Sequence, residues 1–224
     1  MSLTRVQPAV MLLGGTGFIG SNLSLSLRLA GYRVVVLTRP GRLLTVSDGC
    51  GEATYVSVDL ADTIALEETL AREQPVAVLH LASNLKPAST VSEYLEYERL
   101  IAAPTKRLLQ LLPLTSTRFI FFSSGGTVYG PTSNADHLET DACAPINHYG
   151  QSKLEMESFV RFCGRTAGLD YLILRPSNPY GPGQMSNGTQ GFVSVALNKA
   201  LNDQALDIWG DGSAVRDYVY IDDL

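Results

Sequence analysis

The sequence predicts an α/β fold: a doubly wound parallel sheet, with the start of a small, irregular lobe at its C-terminal end. Three observations carry this. Short apolar runs rich in β-branched residues alternate with longer helical segments, the runs lack polar alternation, and a glycine-rich turn follows the first of them directly. Strands that are covered on both faces and joined by helices read this way.

The first run is Ala9 to Leu13, followed by glycines and a helical segment from Ile19 to Ala30. Gly31 stops that helix ahead of the second run, Arg33 to Leu37. Thr54 to Val58, Val76 to Leu81, Arg118 to Phe122 and Tyr171 to Leu174 continue the series. Helices are expected between them at Ile64–Arg72, Val91–Leu112 and Tyr149–Thr166. From Pro176 the texture changes: Asn178, Pro179, Gly181, Pro182, Gly183, Asn187 and Gly188 read as a loop. A short helix near Phe192–Leu201 follows, then strand-like Ala205–Trp209 and Val215–Ile221. The chain divides into a first domain over residues 1–175 and a partial lobe over 176–224, which reads as cut short because no closing element follows Asp222-Asp223-Leu224.

Composition narrows the function classes. A formal net charge of −5 argues against a nucleic-acid or anionic-membrane partner. Cys50, Cys143 and Cys163 are odd in number, far apart and without metal-ligand spacing, which fits a reducing cytoplasm and no metal site. Apolar stretches such as Val34 to Leu37 and Phe119 to Phe122 are far too short to span a membrane, and Met1 to Pro8 lacks the features of a signal peptide.

Gly14-Gly15-Thr16-Gly17-Phe18-Ile19-Gly20 joins the first strand to the first helix. Glycines let the backbone turn sharply and approach a pyrophosphate, while the helix N-terminus offers unpaired N–H groups and a favourable dipole. This makes the first domain a dinucleotide-binding Rossmann domain. The second strand ends in Thr38-Arg39-Pro40, with Arg42 close behind and no acidic residue to hold a ribose 2′-hydroxyl. Between NAD and NADP, that pattern leans towards NADP. Asp59, in Val58-Asp59-Leu60, is placed to accept from an adenine amino group or to cap a turn.

Tyr149 and Lys153 lie four residues apart at the start of a helix and so share a face. A fixed ammonium beside a tyrosine stabilises its phenolate, which predicts a lowered phenol pKa and a general base. Upstream, Phe121 to Gly130 ends the fifth strand in small and hydroxylated residues at the carboxyl edge of the sheet, where ligands of such folds bind.

These stretches, taken in order, resemble the extended short-chain dehydrogenase/reductase family, within it the NAD-dependent epimerases and dehydratases of the UDP-glucose 4-epimerase type. His80 to Ser83, Leu174 to Gly183 and Gly210 to Tyr218 match as well. The resemblance implies that Gly14, Gly17, Phe18, Ile19, Gly20, Arg39, Asp59, Leu60, Leu81, Ala82, Ser83 and Pro176 lie along the cofactor, together with Tyr149 and Lys153. It implies that Asn178 and Arg216 hold a nucleotide-sugar, the arginine at its diphosphate, and that Tyr149 and Lys153 are catalytic. It also implies a homodimer paired through the helices near Val91–Leu112 and Tyr149–Thr166.

The chain departs from that family at Gly125, where relatives carry the catalytic Ser or Thr. Ser124 or Thr127 must then supply the hydroxyl that holds the substrate oxygen, and Thr127 is favoured because it lies two residues further along the same segment. Ile101 stands where relatives carry a cofactor-facing asparagine. Gly125-Gly126 also replaces the Asp-Glu pair of sugar-nucleotide dehydratases, which argues against dehydration. The expected activity is 4-epimerisation of a nucleoside-diphosphate sugar through a 4-keto intermediate. The alternatives are an NADP-dependent reductase or dehydrogenase of a keto-sugar nucleotide or other carbonyl compound, and a non-catalytic dinucleotide-binding protein.

Overall fold

A computed structural model describes residues 7–42, 52–112, 116–131, 136–185, 191–208 and 210–224. Met1 to Val6, Cys50, Asn187, Gly188 and Trp209, which the sequence analysis names, lie outside the described residues.

The apolar runs become β1 (Ala9–Leu13), β2 (Arg33–Thr38), β3 (Thr54–Ser57), β4 (Ala77–His80), β5 (Arg118–Phe122) and β6 (Tyr171–Leu174). They form one parallel sheet in the order β3-β2-β1-β4-β5-β6. All five residues of β1 are buried, as a central strand covered on both faces requires. Their side chains alternate between two cores. Met11 and Leu13 join Val35, Leu37, Phe119 and Phe121 on one face, and Val10 and Leu12 join Val34, Val36 and Phe122 on the other.

The first face is covered by α2 (Thr63–Glu73), α3 (Val91–Tyr97), α4 (Ala103–Leu111) and α5 (His148–Ala167), which contribute Leu66, Tyr97, Leu108 and Met156. The second is covered by α1 (Phe18–Leu29) through Ile19, Leu23 and Leu27. Chain order reverses between β1 and β4, so a crevice opens beyond their carboxyl ends, where ligands of such sheets bind.

The helix expected over Val91–Leu112 is three pieces. A π-helical turn, Glu98–Ala102, separates α3 from α4. Pro104, in the first turn of α4, has no N–H for the preceding turn, and its ring would crowd the carbonyl four residues earlier in a straight helix. The wider turn just upstream relieves that conflict. Val91 and Leu95 on α3 and Phe162 on α5 remain exposed, on the helices expected to pair two subunits.

The C-terminal segment corrects two expectations. Asn178 to Tyr180, read as loop, is β7 (Asn178–Tyr180); α6 (Phe192–Leu201) follows, and β7 pairs in parallel with β8 (Tyr218–Tyr220). Pro179 is tolerated because a two-stranded sheet consists of edges only. Ala205 to Ile208 is exposed and unpaired instead of extended in a sheet, and the strand expected from Val215 begins only at Tyr218. The segment is anchored on α1: the Asn22 amide donates to the Phe18 carbonyl at 2.9 Å and to the Pro182 carbonyl at 3.1 Å. Among the described residues, no helix is long and apolar enough to cross a membrane.

Candidate active site

The glycine turn sits at the point of strand reversal. Gly14 has φ +82°, and a β-carbon there would lie 2.8 Å from the Ala82 backbone nitrogen. Only glycine allows β1 to turn this close to the segment leaving β4, which begins with Leu81 N–H donating to Leu13 O at 2.8 Å. A β-carbon on Gly20 would lie 2.5 Å from Gly15 Cα, so that glycine lets α1 close onto the turn. Gly17 caps α1 without a side-chain hydrogen bond, and the first turn of the helix holds no acidic residue. An uncapped helix start facing a crevice suits the pyrophosphate of a dinucleotide.

The remaining residues expected along the cofactor divide. Leu81, Ala82 and Ser83 lie beside the turn, with Ser83 Oγ accepting from Leu85 N–H at 3.2 Å. Ile19 and Leu60 instead pack into the two cores. Phe18, half-buried, gives its carbonyl to Ser21 Oγ and to the Asn22 amide. Arg39 is exposed just past β2. Asp59 uses one carboxylate oxygen to cap its own turn, accepting from Ala61 N–H at 2.9 Å.

The start of α5 is set by Asn147, whose side chain accepts from Gly150 N–H at 2.8 Å. A β-carbon on Gly150 would lie 2.5 Å from the Thr127 carbonyl, so glycine here lets the turn after β5 abut the helix. The same turn carries Ser124, whose hydroxyl lies close enough to the Tyr149 phenol to act on it. Burial pushes the phenol up, and Ser124 acts in the opposite direction. Thr127, favoured from sequence for this task, has its Oγ1 buried without a hydrogen-bond partner.

Lys153 is 3% exposed and donates from Nζ to the Phe122 carbonyl at 2.8 Å. Its ammonium lies 5.1 Å from the Phe121 ring centroid and 5.5 Å from that of Tyr149. Burial lowers its pKa to about 8. This corrects the expected effect of Lys153 on Tyr149: the ammonium lies over the ring, bonded to a carbonyl, and the phenol is raised by burial instead of lowered. Beneath them His80 is fully buried and shares a 2.8 Å hydrogen bond with Thr105 Oγ1. Burial first, and the Lys153 charge second, lower its pKa to about 3.

Gly125 has a structural cause. Its N–H donates to the Pro176 carbonyl at 2.8 Å, and a β-carbon would lie 2.7 Å from the Arg175 carbonyl oxygen. A serine here would press on backbone, whereas a β-carbon on Gly126 meets nothing within 4 Å. Gly125→Ser is therefore expected to cost about 1–3 kcal/mol of stability through overpacking, while Gly126→Ser unfolds like the wild type. Urea unfolding of both variants checks this; an unchanged midpoint for Gly125→Ser would mean that the β6 exit yields freely.

Three residues at the site carry no expectation from sequence: Glu157, Arg175 and Tyr129. Glu157, 1% exposed, receives Arg175 Nε at 2.8 Å and Nη2 at 2.6 Å. Burial pushes this carboxyl up, but the arginine fork outweighs it and holds Glu157 below the usual carboxylate range. Arg175 Nη1 also donates to Tyr129 Oη at 2.9 Å. The usable signal was spacing: Tyr149, Lys153 and Glu157 recur every four residues along one face of α5.

Asn178 opens β7, and Arg216 lies two residues before β8. The Asn178 side chain donates to the Asp217 carbonyl at 2.8 Å, and Arg216 Nη1 donates to the Val215 carbonyl at 2.8 Å from an exposed position. Among the described residues, no group of three His, Cys, Asp or Glu side chains is placed to hold a metal.

Comparison with known proteins agrees with this geometry. The family described as "NAD dependent epimerase/dehydratase family" matches residues 10–224. Escherichia coli dTDP-4-dehydro-6-deoxyglucose reductase is 33% identical over 221 residues, which cover 96% of this chain and 69% of that protein. The crystal structure of Thermotoga maritima UDP-glucose 4-epimerase with UDP-glucose superposes with a TM-score of 0.86 at 32% identity, over 96% of this chain and 70% of that one. The Thermus thermophilus UDP-glucose 4-epimerase complex with NAD gives 0.83 at 27% identity, over 95% and 70%. The lean towards NADP drawn from Thr38-Arg39 finds no support among them. A glycine turn at the strand reversal, a serine set against the Tyr149–Lys153 helix and a family match over nearly the whole length make the chain a member of the NAD-dependent epimerase/dehydratase family.

Proposed function

We propose that the chain acts as a nucleoside-diphosphate-sugar 4-epimerase with NAD as its cofactor. One observation carries the reading: Ser124, Tyr149 and Lys153 converge at the carboxyl edge of the sheet, beside a glycine turn that fits a pyrophosphate. Bound NAD would supply the acceptor, and then the donor, of one hydride at the sugar C4. Gly14, Gly17 and the start of α1 would hold its pyrophosphate, with Leu81 to Ser83 and Pro176 along its length.

The chain's own residues handle the proton. As the phenolate, the Tyr149 oxygen takes it from the C4 hydroxyl and, as the phenol so formed, returns it when the 4-keto sugar is reduced from the opposite face. In the free site Ser124 offsets part of the burial that raises the phenol, and with substrate bound its single O–H would turn to donate to the C4 oxygen. Lys153, bonded to Phe122 O, keeps a positive charge under the Tyr149 ring and within reach of a ribose. Exposed Arg216, two residues before β8, would swing from the Val215 carbonyl onto a diphosphate, a task that suits an arginine fork.

A second reading, a net reductase of a keto-sugar nucleotide, rests on the 33% identity to the Escherichia coli reductase. Product analysis by NMR separates them: UDP-, dTDP- and GDP-sugars are incubated with catalytic amounts of NAD or NADP, then with stoichiometric NADH or NADPH. A C4 epimer without net change in the cofactor is the expected result. Stoichiometric consumption of reduced cofactor would replace the epimerase with the reductase, and cofactor binding with neither reaction would leave a binding protein.

A further inference from the structure

We propose that Glu157 and Arg175 form a positioning pair that sets the Ser124 hydroxyl against the Tyr149 phenol. The inference rests on the reading of Ser124 and Tyr149 given above and adds the residues that fix their separation.

Ser124 sits in a segment that is fastened to the exit of β6 on both sides. Ser123 N–H donates to Leu174 O at 2.7 Å and Gly125 N–H to Pro176 O at 2.8 Å. Between those two acceptors lies Arg175, whose carbonyl faces Gly125 closely enough to exclude a β-carbon. The place of Ser124 is therefore set by the backbone at 174–176. The place of Tyr149 is set by α5, which Lys153 ties to the end of β5 through Phe122 O.

The connection between α5 and the β6 exit is the Glu157–Arg175 fork. Its two bonds, 2.8 and 2.6 Å, define a plane as well as a distance. Arg175 is held from its other side too: Nη1 donates to Tyr129 Oη, and the guanidinium carbon lies 4.9 Å from the Tyr129 ring centroid. Tyr129 closes the loop, because it belongs to the same turn as Ser124 and accepts Ala144 N–H at its own carbonyl. The Arg175 side chain and the carbonyls of its two chain neighbours, Leu174 and Pro176, thus join the tyrosine helix to the serine turn. Arg161, 3.5 Å from Glu157, adds charge at the rim without touching that turn.

The test reads the phenol directly. In protein labelled with [ζ-13C]tyrosine, the Tyr149 resonance is assigned by its loss in Tyr149→Phe, and Ser124→Ala gives its position without the serine. In Glu157→Gln the resonance is expected to move to the Ser124→Ala position. Arg118→Gln, which breaks an exposed ion pair at the other end of β5, leaves it in place. Where turnover is measured, Glu157→Gln lowers kcat on the order of 10²-fold, the effect of a small misplacement at a reacting centre, with the Kd for NAD unchanged.

If Glu157→Gln fails to fold, Glu157→Asp keeps the charge but withdraws it by one methylene, and the same shift is expected. A folded variant of either kind whose Tyr149 resonance stays at the wild-type position overturns the positioning role. A resonance that does not move in Ser124→Ala refutes the serine–tyrosine pairing itself, and with it the catalytic reading beneath the proposal.

Discussion

Tyr149→Phe is expected to lower turnover by on the order of 10²–10⁴-fold, the usual contribution of a positioned proton-transfer group. That corresponds to about 3–5 kcal/mol of transition-state stabilisation. The change removes one oxygen and little else. The ring packs against the core, with the Lys153 ammonium 5.5 Å from its centroid, so phenylalanine preserves the fold and the place of Lys153. No neighbour can substitute. His80 is buried, hydrogen-bonded to Thr105 and neutral down to about pH 3. Ser124 has no base to activate it once the phenol is gone, and Lys153 is committed to a carbonyl. Affinity for NAD, measured by calorimetry, is expected to stay at the wild-type value while product formation falls. Undiminished turnover in Tyr149→Phe would remove Tyr149 from the reaction.

The second large effect is on stability in acid. His80 is neutral in the folded protein because burial, and then the Lys153 charge, lower its pKa from 6.5 to about 3. The unfolded chain takes up this proton below pH 6.5 and the folded chain does not, so the unfolded state binds more protons across the window. Stability must then rise with pH over it, and fall as pH drops from 6.5 towards 3. The full shift corresponds to roughly 5 kcal/mol, at about 1.4 kcal/mol per pH unit. Glu157 adds a loss of the same sign only below the ordinary carboxylate range, because its folded pKa lies below the unfolded 4.5. The interval from pH 6.5 to 5 therefore isolates the histidine. Urea unfolding across it should show the slope in wild type and lose it in His80→Gln, which keeps a partner for Thr105 without the titration. Equal slopes would mean that His80 is protonated in the folded state.

The sheet was legible because its strands are covered on both faces, so that runs such as Val34 to Leu37 are apolar without interruption and too short for the helices between them. The glycine turn was legible for a related reason, since a β-carbon at Gly14 meets Ala82 whatever the side chain. What spacing could not convey was the atom a side chain reaches. Four residues put Tyr149 and Lys153 on one face, but only the fold shows the ammonium bonded to Phe122 O and over the ring instead of beside the oxygen. Sequence distance alone ranked Thr127 above Ser124, whereas the fold sets Ser124 near the phenol and buries Thr127 Oγ1 without a partner. Gly125 looked like a loss of function because its cause, the Arg175 carbonyl, lies fifty residues away in the chain. β7 was hidden by its three-residue length and by Pro179. The break at Glu98–Ala102, by contrast, had a visible signal in Pro104.

That π-helical turn has a consequence for how the chain tolerates changes of length. Tyr97 and Ala102 are both buried against the sheet although five residues separate them, a spacing that a straight α-helix would place on different faces. Losing one residue from 98–101 would leave a spacing of four, which a plain α-helix satisfies, so both residues would keep facing inward. One residue gained or lost in the middle of α5 would instead rotate Tyr149 away from Glu157 by about 100°. The seam between α3 and α4 can thus lose one residue and keep its buried positions once Pro104 is replaced as well, because a straight helix would crowd the proline ring, while the helix bearing the tyrosine admits no such indel.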